Sequence, residues 1–248
     1  MGRYGDSVEQ VIDVHLPADS SPAPLVVLLH GGFWRQEYDR VHTRSMAQAL
    51  RRLGFAVATP EYRRGPASWP AMRDDITAVR EHVRTRFADT ASGRVSDASP
   101  RLVGHSAGGH LALWWALAAR TEPRDEIDRV VALAPVSDLP RAHADGLGGH
   151  AVRDLLGGDP DPRPGDLAEA DPAPGLEAYA GPAAIHVVHG DRDQQVPIAY
   201  SRDLAARSSA VELHELHGVE HFGLIDPDSA AWPHVVGVLG AARLGSDT

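Results

Sequence analysis

Apolar and polar positions along the chain alternate between two periods, one fitting strands and one fitting helices. Val8 to Leu16 reads as a strand, and PLVVLLH, from Pro24 to His30, is a nearly continuous apolar run ending in Gly31-Gly32. A strand apolar on both faces predicts a buried parallel sheet. Met46, Ala49, Leu50 and Leu53 follow at i, i+3, i+4, i+7, with Gly54 at the C-cap position of the helix they predict. The signals then recur. FAVATP predicts a strand; Ile76, Val79, Val83 and Phe87 a helix; RLVGHS a strand; Leu111 to Ala119 an apolar helix. VVALAPV, AIHVVHG and VELHEL predict three further strands, and Trp232, Val235, Val236 and Leu239 a closing helix. Strands alternating with helices of this length need crossover connections. The predicted fold class is α/β, a mostly parallel central sheet with helices on both faces.

The rhythm breaks once. From Asp138 to Pro182 there is no long periodic run, and six prolines fall between Pro160 and Pro182. Loops of that length inside a domain are usually functional or disordered. The expectation is a single domain over residues 1–248, with a short lid or excursion at 138–182 above the carboxyl edge of the sheet.

Composition narrows the chemistry. The 248 residues carry a formal charge of -10, which counts against a nucleic-acid or anionic-membrane partner because phosphate contacts need a basic face. LALWWALAA, the longest strongly apolar helical run, is far short of the ~20 residues of a membrane span. MGRYGDSVEQ has no apolar signal-peptide core, and Asp6 breaks the myristoylation pattern, so the expected location is the cytoplasm. There is no Cys, and all 24 residues of the Lys+Arg count are Arg. Without Cys there is no disulfide, thiolate zinc site or Cys nucleophile; without Lys there is no Schiff base, Ser-Lys dyad or P-loop lysine. Chemistry is left to Ser, His, Asp, Glu, Tyr or a bound metal.

Gly104-His105-Ser106-Ala107-Gly108 matches G-x-S-x-G between a predicted strand and a predicted helix. The glycines permit a sharp bend that exposes the Ser106 hydroxyl, and the helix N-terminus offers free amides to a developing negative charge. HGGFW, His30 to Trp34, directly follows the strand PLVVLL. The backbone amides of Gly32 and Phe33, with that of Ala107, are the candidate oxyanion donors, and His30 is expected to brace the loop. A serine nucleophile needs an acid and a base later in the chain. Asp191 and Asp193 both follow the strand AIHVVHG, at the sheet edge where ligands of parallel sheets bind. In HGVEH, His217, Glu220 and His221 have the H-x-x-E-H spacing of one zinc-peptidase class. Gly218, directly after the first His, argues against the helix that would put both His on one face, and no third protein ligand is evident.

The acid loop HGDRDQQVP and the G-x-x-H-F stretch after the last strand resemble the α/β-hydrolase family, and the resemblance runs through essentially the whole chain. It implies that Asp193 holds the histidine, that His221 is the general base and that Asp191 is a turn residue. HGGFW with GHSAGGHLAL is similar to the branch containing kynurenine formamidases (arylformamidases) and small carboxylesterases. What this implies is a serine hydrolase cleaving small acyl esters or N-acyl (formyl) amides through an acyl-enzyme, with Ser106, Asp193 and His221 as its triad and neither cofactor nor metal. Trp34, Tyr38, Tyr62, Trp69 and His105 are candidates to line its pocket; Trp114 and Trp115 are expected in the core. The competing readings are a non-catalytic ligand-binding protein on the same fold and a zinc peptidase using HGVEH. The expected partner is a small-molecule substrate; oligomeric state is not encoded in any pattern here.

Overall fold

A computed structural model describes residues 2–85, 93–119, 127–160 and 164–242. Eight strands form one sheet: β1 (Gly2–Arg3), β2 (Val11–His15), β3 (Leu25–Leu29), β4 (Ala56–Pro60), β5 (Arg101–His105), β6 (Arg129–Leu133), β7 (Ala184–Gly190) and β8 (Val211–Leu216). Their order is β1-β2-β4-β3-β5-β6-β7-β8, antiparallel at β1/β2 and β2/β4 and parallel elsewhere. All five residues of β3 and of β4 are buried, as strands covered on both faces must be. The Leu111 to Ala119 run extends back to Ala107, making a helix that starts directly after Ser106. Of the residues that predicted a helix from Ile76, Phe87 lies outside the described residues.

Alternation along each strand divides the core in two. On one face Val27, Leu29, Leu102, Ala132 and Val187 pack with α2 (Trp69–Thr85) and α3 (Ala107–Ala119). On the other Val26, Leu28, Val103, Val131 and Val188 pack with α1 (Arg44–Arg52) and, near the end of the chain, with the closing helix Trp232–Leu239. After β3 the chain turns one way to β4 and then the other way to β5, so the order reverses at β3. The carboxyl ends of β3 and β5 thus flank a crevice, the place where open α/β sheets bind ligands.

The segment at 138–182 is more ordered than its sequence suggests. It holds α4 (Leu139–Ala144), α5 (Leu147–Leu156), α6 (Pro164–Ala170) and α7 (Ala173–Glu177). Leu139, Val152, Leu155 and Leu176 from these helices are part of the α2/α3 core. Asp138 caps α4 by accepting from the Arg141 amide. Helices this short are unstable alone, and their tertiary burial holds them. Among the described residues the remaining α-helices are α8 (Ala199–Arg207) and α9, the closing helix (Trp232–Leu239).

Candidate active site

Ser106 sits between β5 and α3 with φ at +57°, a left-handed value that a residue with a side chain adopts at a cost. The turn holds it there. Its amide donates to the Leu133 carbonyl at 2.8 Å, and its own carbonyl accepts from His110 at 3.0 Å. A methyl group at Gly104 would overlap the Gly108 carbonyl, and one at Gly108 would overlap the carbonyls of Leu29 and His30. The G-x-S-x-G spacing therefore reflects close backbone approach on both sides of the serine.

Gly31 lies against that turn: a Cβ built on it would sit 3.1 Å from Ser106 Cβ. The loop after β3 thus runs beside the serine, and Gly32, Phe33 and Trp34 all have positive φ there. Among the described residues no protein acceptor takes the amides of Gly32, Phe33 or Ala107. The loop is braced from behind. His30 is fully buried, stacks on Tyr62 with ring centroids 4.4 Å apart, and places Nε2 2.9 Å from Glu61 Oε1. Glu61 also accepts from the Arg40 amide and from Arg64. Burial raises its carboxyl pKa, but the contacts with His30, the Arg40 amide and Arg64 together outweigh it, and the net shift is downward.

His221 begins the short 3-10 turn His221–Leu224 after β8. Its Nδ1 is 2.6 Å from Asp193 Oδ2, and the two side chains are 5% and 0% exposed. The other oxygen of Asp193 accepts from the amides of Gln195 and Val196. His189, from the end of β7, donates Nε2–H to the Val196 carbonyl and stands 3.3 Å from Asp193 Oδ2. Burial raises the Asp193 pKa, yet the hydrogen bonds from His189 and His221 and the charge of His221 hold the carboxyl well below the usual carboxylate range. His105, the neighbour of Ser106, donates Nε2–H to the His221 carbonyl at 3.0 Å, with ring centroids 4.3 Å apart. That contact ties the serine turn to the histidine loop.

Three of the five aromatic and histidine side chains expected at the pocket are aromatics with almost no exposed surface. Trp34, Tyr62 and Trp69 are buried in the core. Tyr62 donates its hydroxyl to the His30 carbonyl, Trp69 donates Nε1–H to Glu169, and Trp34 meets the His110 ring edge-on. Large aromatic rings gain most from complete burial where the polar end finds a partner, as it does for Tyr62 and Trp69. His105 is likewise buried, behind His221. Tyr38 alone of the five is exposed, packed on Gly32 beside the loop after β3. Trp115 is in the core as expected, whereas Trp114 is partly buried and bonds the Glu169 carbonyl. The sequence pattern missed Phe222, which is 52% exposed and packs edge-on against both His221 and His42. The H-x-x-E-H residues do not converge: His217 pairs with Asp191, His221 with Asp193, and Glu220 is exposed.

A BD-FAE family profile matches residues 12–207. The chain belongs to the BD-FAE family. The chain is 32% identical over 110 residues to a kynurenine formamidase of Danio rerio, a match covering 44% of this chain and 35% of that enzyme. It is 26% identical to esterase LipC of Mycobacterium tuberculosis over 90% of this chain and 59% of LipC. The chain thus spans about a third and somewhat over half of these relatives. A truncated carbohydrate esterase from gut microbiota superimposes with a TM-score of 0.75 at 20% identity, over 90% of this chain and 89% of that one. The BD-FAE chain has the α/β-hydrolase fold and belongs to a hydrolase family related to esterases and formamidases. Among its described residues no helix is long and apolar enough to cross a membrane.

Proposed function

We propose that this protein is a serine hydrolase cleaving small acyl esters or N-acyl amides through an acyl-enzyme, with Ser106 as nucleophile, His221 as general base and Asp193 as the acid that orients it. The observation that carries the reading is the buried 2.6 Å contact between His221 and Asp193, tied through His105 to the turn bearing Ser106. A hydroxyl attacks a carbonyl once an imidazole takes its proton, and the imidazole needs a carboxylate to fix its tautomer and stabilise its charged form. The amides of Gly32, Phe33 and Ala107 supply the donors for the tetrahedral oxyanion, where preorganised N–H groups contribute most to rate. His221 gives the proton it took from Ser106 to the departing alcohol or amine as the scissile bond breaks, and then, as base again, activates the water that releases the acyl group.

Kinship with a kynurenine formamidase and with LipC favours formyl amides and short esters as substrates. Exposed Tyr38 and Phe222 are the apolar side chains a small acyl or aryl group meets at the site. A fluorophosphonate probe tests the reading. It should label Ser106, as located by peptide mass spectrometry, and labelling should vanish in Ser106→Ala. Nitrophenyl acetate and butyrate should be turned over faster than C8 and longer esters, because a small site rejects added methylenes at a cost that grows with each. N-formyl-kynurenine in the same panel decides between amide and ester preference. Absence of labelling and of turnover in folded protein would favour a ligand-binding protein on this fold.

A further inference from the structure

A second cluster of histidines lies on the edge of the sheet, on strands that also carry the active-site loops. β7 and β8 pair in parallel with His186 opposite Glu212 and Val188 opposite His214. Paired residues share a face, and so do residues two apart on one strand, so His186, Glu212 and His214 project from the same side. Their donor atoms converge. His186 Nδ1 lies 3.1 Å from His214 Nε2 and 3.3 Å from Glu212 Oε2, and His214 Nε2 lies 3.5 Å from Glu212 Oε1. His186 is four residues before the carboxyl end of β7, about 13 Å at the usual strand rise, so the cluster is separate from Asp193 and the serine turn.

Three lone-pair atoms at such distances repel one another unless something positive sits among them. One N–H on His186 Nδ1, shared between His214 Nε2 and Glu212, meets each of them only at long range. A metal ion serves all three. With Zn–N and Zn–O bonds of about 2.0–2.2 Å, the edges of a tetrahedral site are roughly 3.3 Å, which is the spacing found here. Arg129 is the nearby charge that opposes a cation; its Nη1 donates to the Val238 carbonyl, and the Glu212 carboxylate counters it.

We propose that His186, Glu212 and His214 bind one zinc ion, or a divalent transition metal of similar preference, as a structural clip between β7 and the edge strand β8. The fourth position falls to water or to His234 on α9, whose ring is 5.3 Å from that of His214. Two imidazoles and a carboxylate suit zinc better than calcium or magnesium, which favour all-oxygen sites. Because the ligands come from two strands of the folded sheet, binding stabilises the native state and not the unfolded chain.

Calorimetric titration of zinc chloride into tag-free, metal-stripped full-length protein tests the proposal, with cobalt chloride as a spectroscopic partner. The expected result is one equivalent bound with micromolar or tighter affinity, an intense tetrahedral cobalt spectrum and a higher Tm with zinc. Glu212→Gln, an exposed position whose change leaves the fold intact, should weaken binding at least about tenfold, and the double variant His186→Ala/His214→Ala more. Ester turnover should not change in any of them. Absence of saturable uptake, or one equivalent bound with unchanged affinity in Glu212→Gln and the double variant, would overturn the proposal; the first outcome would leave a hydrogen-bonded histidine pair, the second would place the ion elsewhere.

Discussion

Two aspartate–histidine pairs bridge the loop after β7 and the loop after β8. Asp193 meets His221 and Asp191 meets His217, each at 2.6 Å and each through Nδ1. Contact geometry does not distinguish them. Burial does: His221 is 5% exposed and His217 is 92% exposed. In water an ion pair is screened and competes with solvent at both partners, so the outer pair constrains the ring of His217 very little. Inside, with Asp193 also held by two amides and by His189, the imidazole of His221 has one orientation and one tautomer. Both carboxyls are lowered, for different reasons. At Asp191 the Gly218 amide is the main cause and His217 the second, which marks it as a residue that shapes the loop carrying His221.

The proposed division of labour can be broken most directly by removing the reacting groups. Ser106→Ala or His221→Ala should lower kcat by roughly four to six powers of ten, since nucleophile, base and acid act as a unit. His217→Ala, read in the same nitrophenyl butyrate assay, should stay close to the parent. Comparable losses from the two histidine variants would erase the distinction between the pairs.

Next in size is the effect of the acids. Asp193→Asn should reduce kcat by about 10⁴-fold by favouring the wrong histidine tautomer, whereas Asp191→Asn should cost far less and act through loop position. Steady-state kinetics on both variants checks this, and a larger loss from Asp191→Asn reverses the assignment. A third measurement concerns the H-x-x-E-H spacing shared by the two histidines. Ester turnover should survive prolonged treatment with EDTA, because the proposed chemistry uses Ser106 and not a metal held by His217 and His221. Chelator-sensitive activity restored by zinc in the His186→Ala/His214→Ala variant, where the β7–β8 cluster is absent, would revive that reading.

The smallest effect is on stability at low pH. The Asp193 pKa is lowered on folding, so below the unfolded value of about 3.9 the unfolded chain binds the extra proton. Stability from this group is therefore complete above that pH and is lost as pH falls towards the folded pKa. Urea denaturation between about pH 5 and pH 2.5 should show a shallower acid slope in Asp193→Asn than in the parent. Asp191→Asn should change that slope less, its carboxylate being open to solvent.

The strand and helix pattern was legible because it is local. Periods of two and 3.6 follow from backbone geometry and do not depend on distant partners. The serine turn was legible for the same reason: Gly104, Ser106 and Gly108 must lie close in sequence for the backbone to pass so near itself and to reach β3. The four short helices of 138–182 were not, since residues such as Leu155 and Leu176 owe their helical state to a core built by α2 and α3. Tertiary structure also decided which aromatics are buried and which are exposed. Trp34, Tyr62 and Trp69 stand on loops or element ends, but their partners are His110, His30 and Glu169, none of them a sequence neighbour. Nor does anything in the string DRD tell its two aspartates apart, since they share one turn and one chemistry. Their difference is a difference in solvent, and the folded surface, drawn by residues from β7, β8 and the turns between them, sets which carboxylate water can reach.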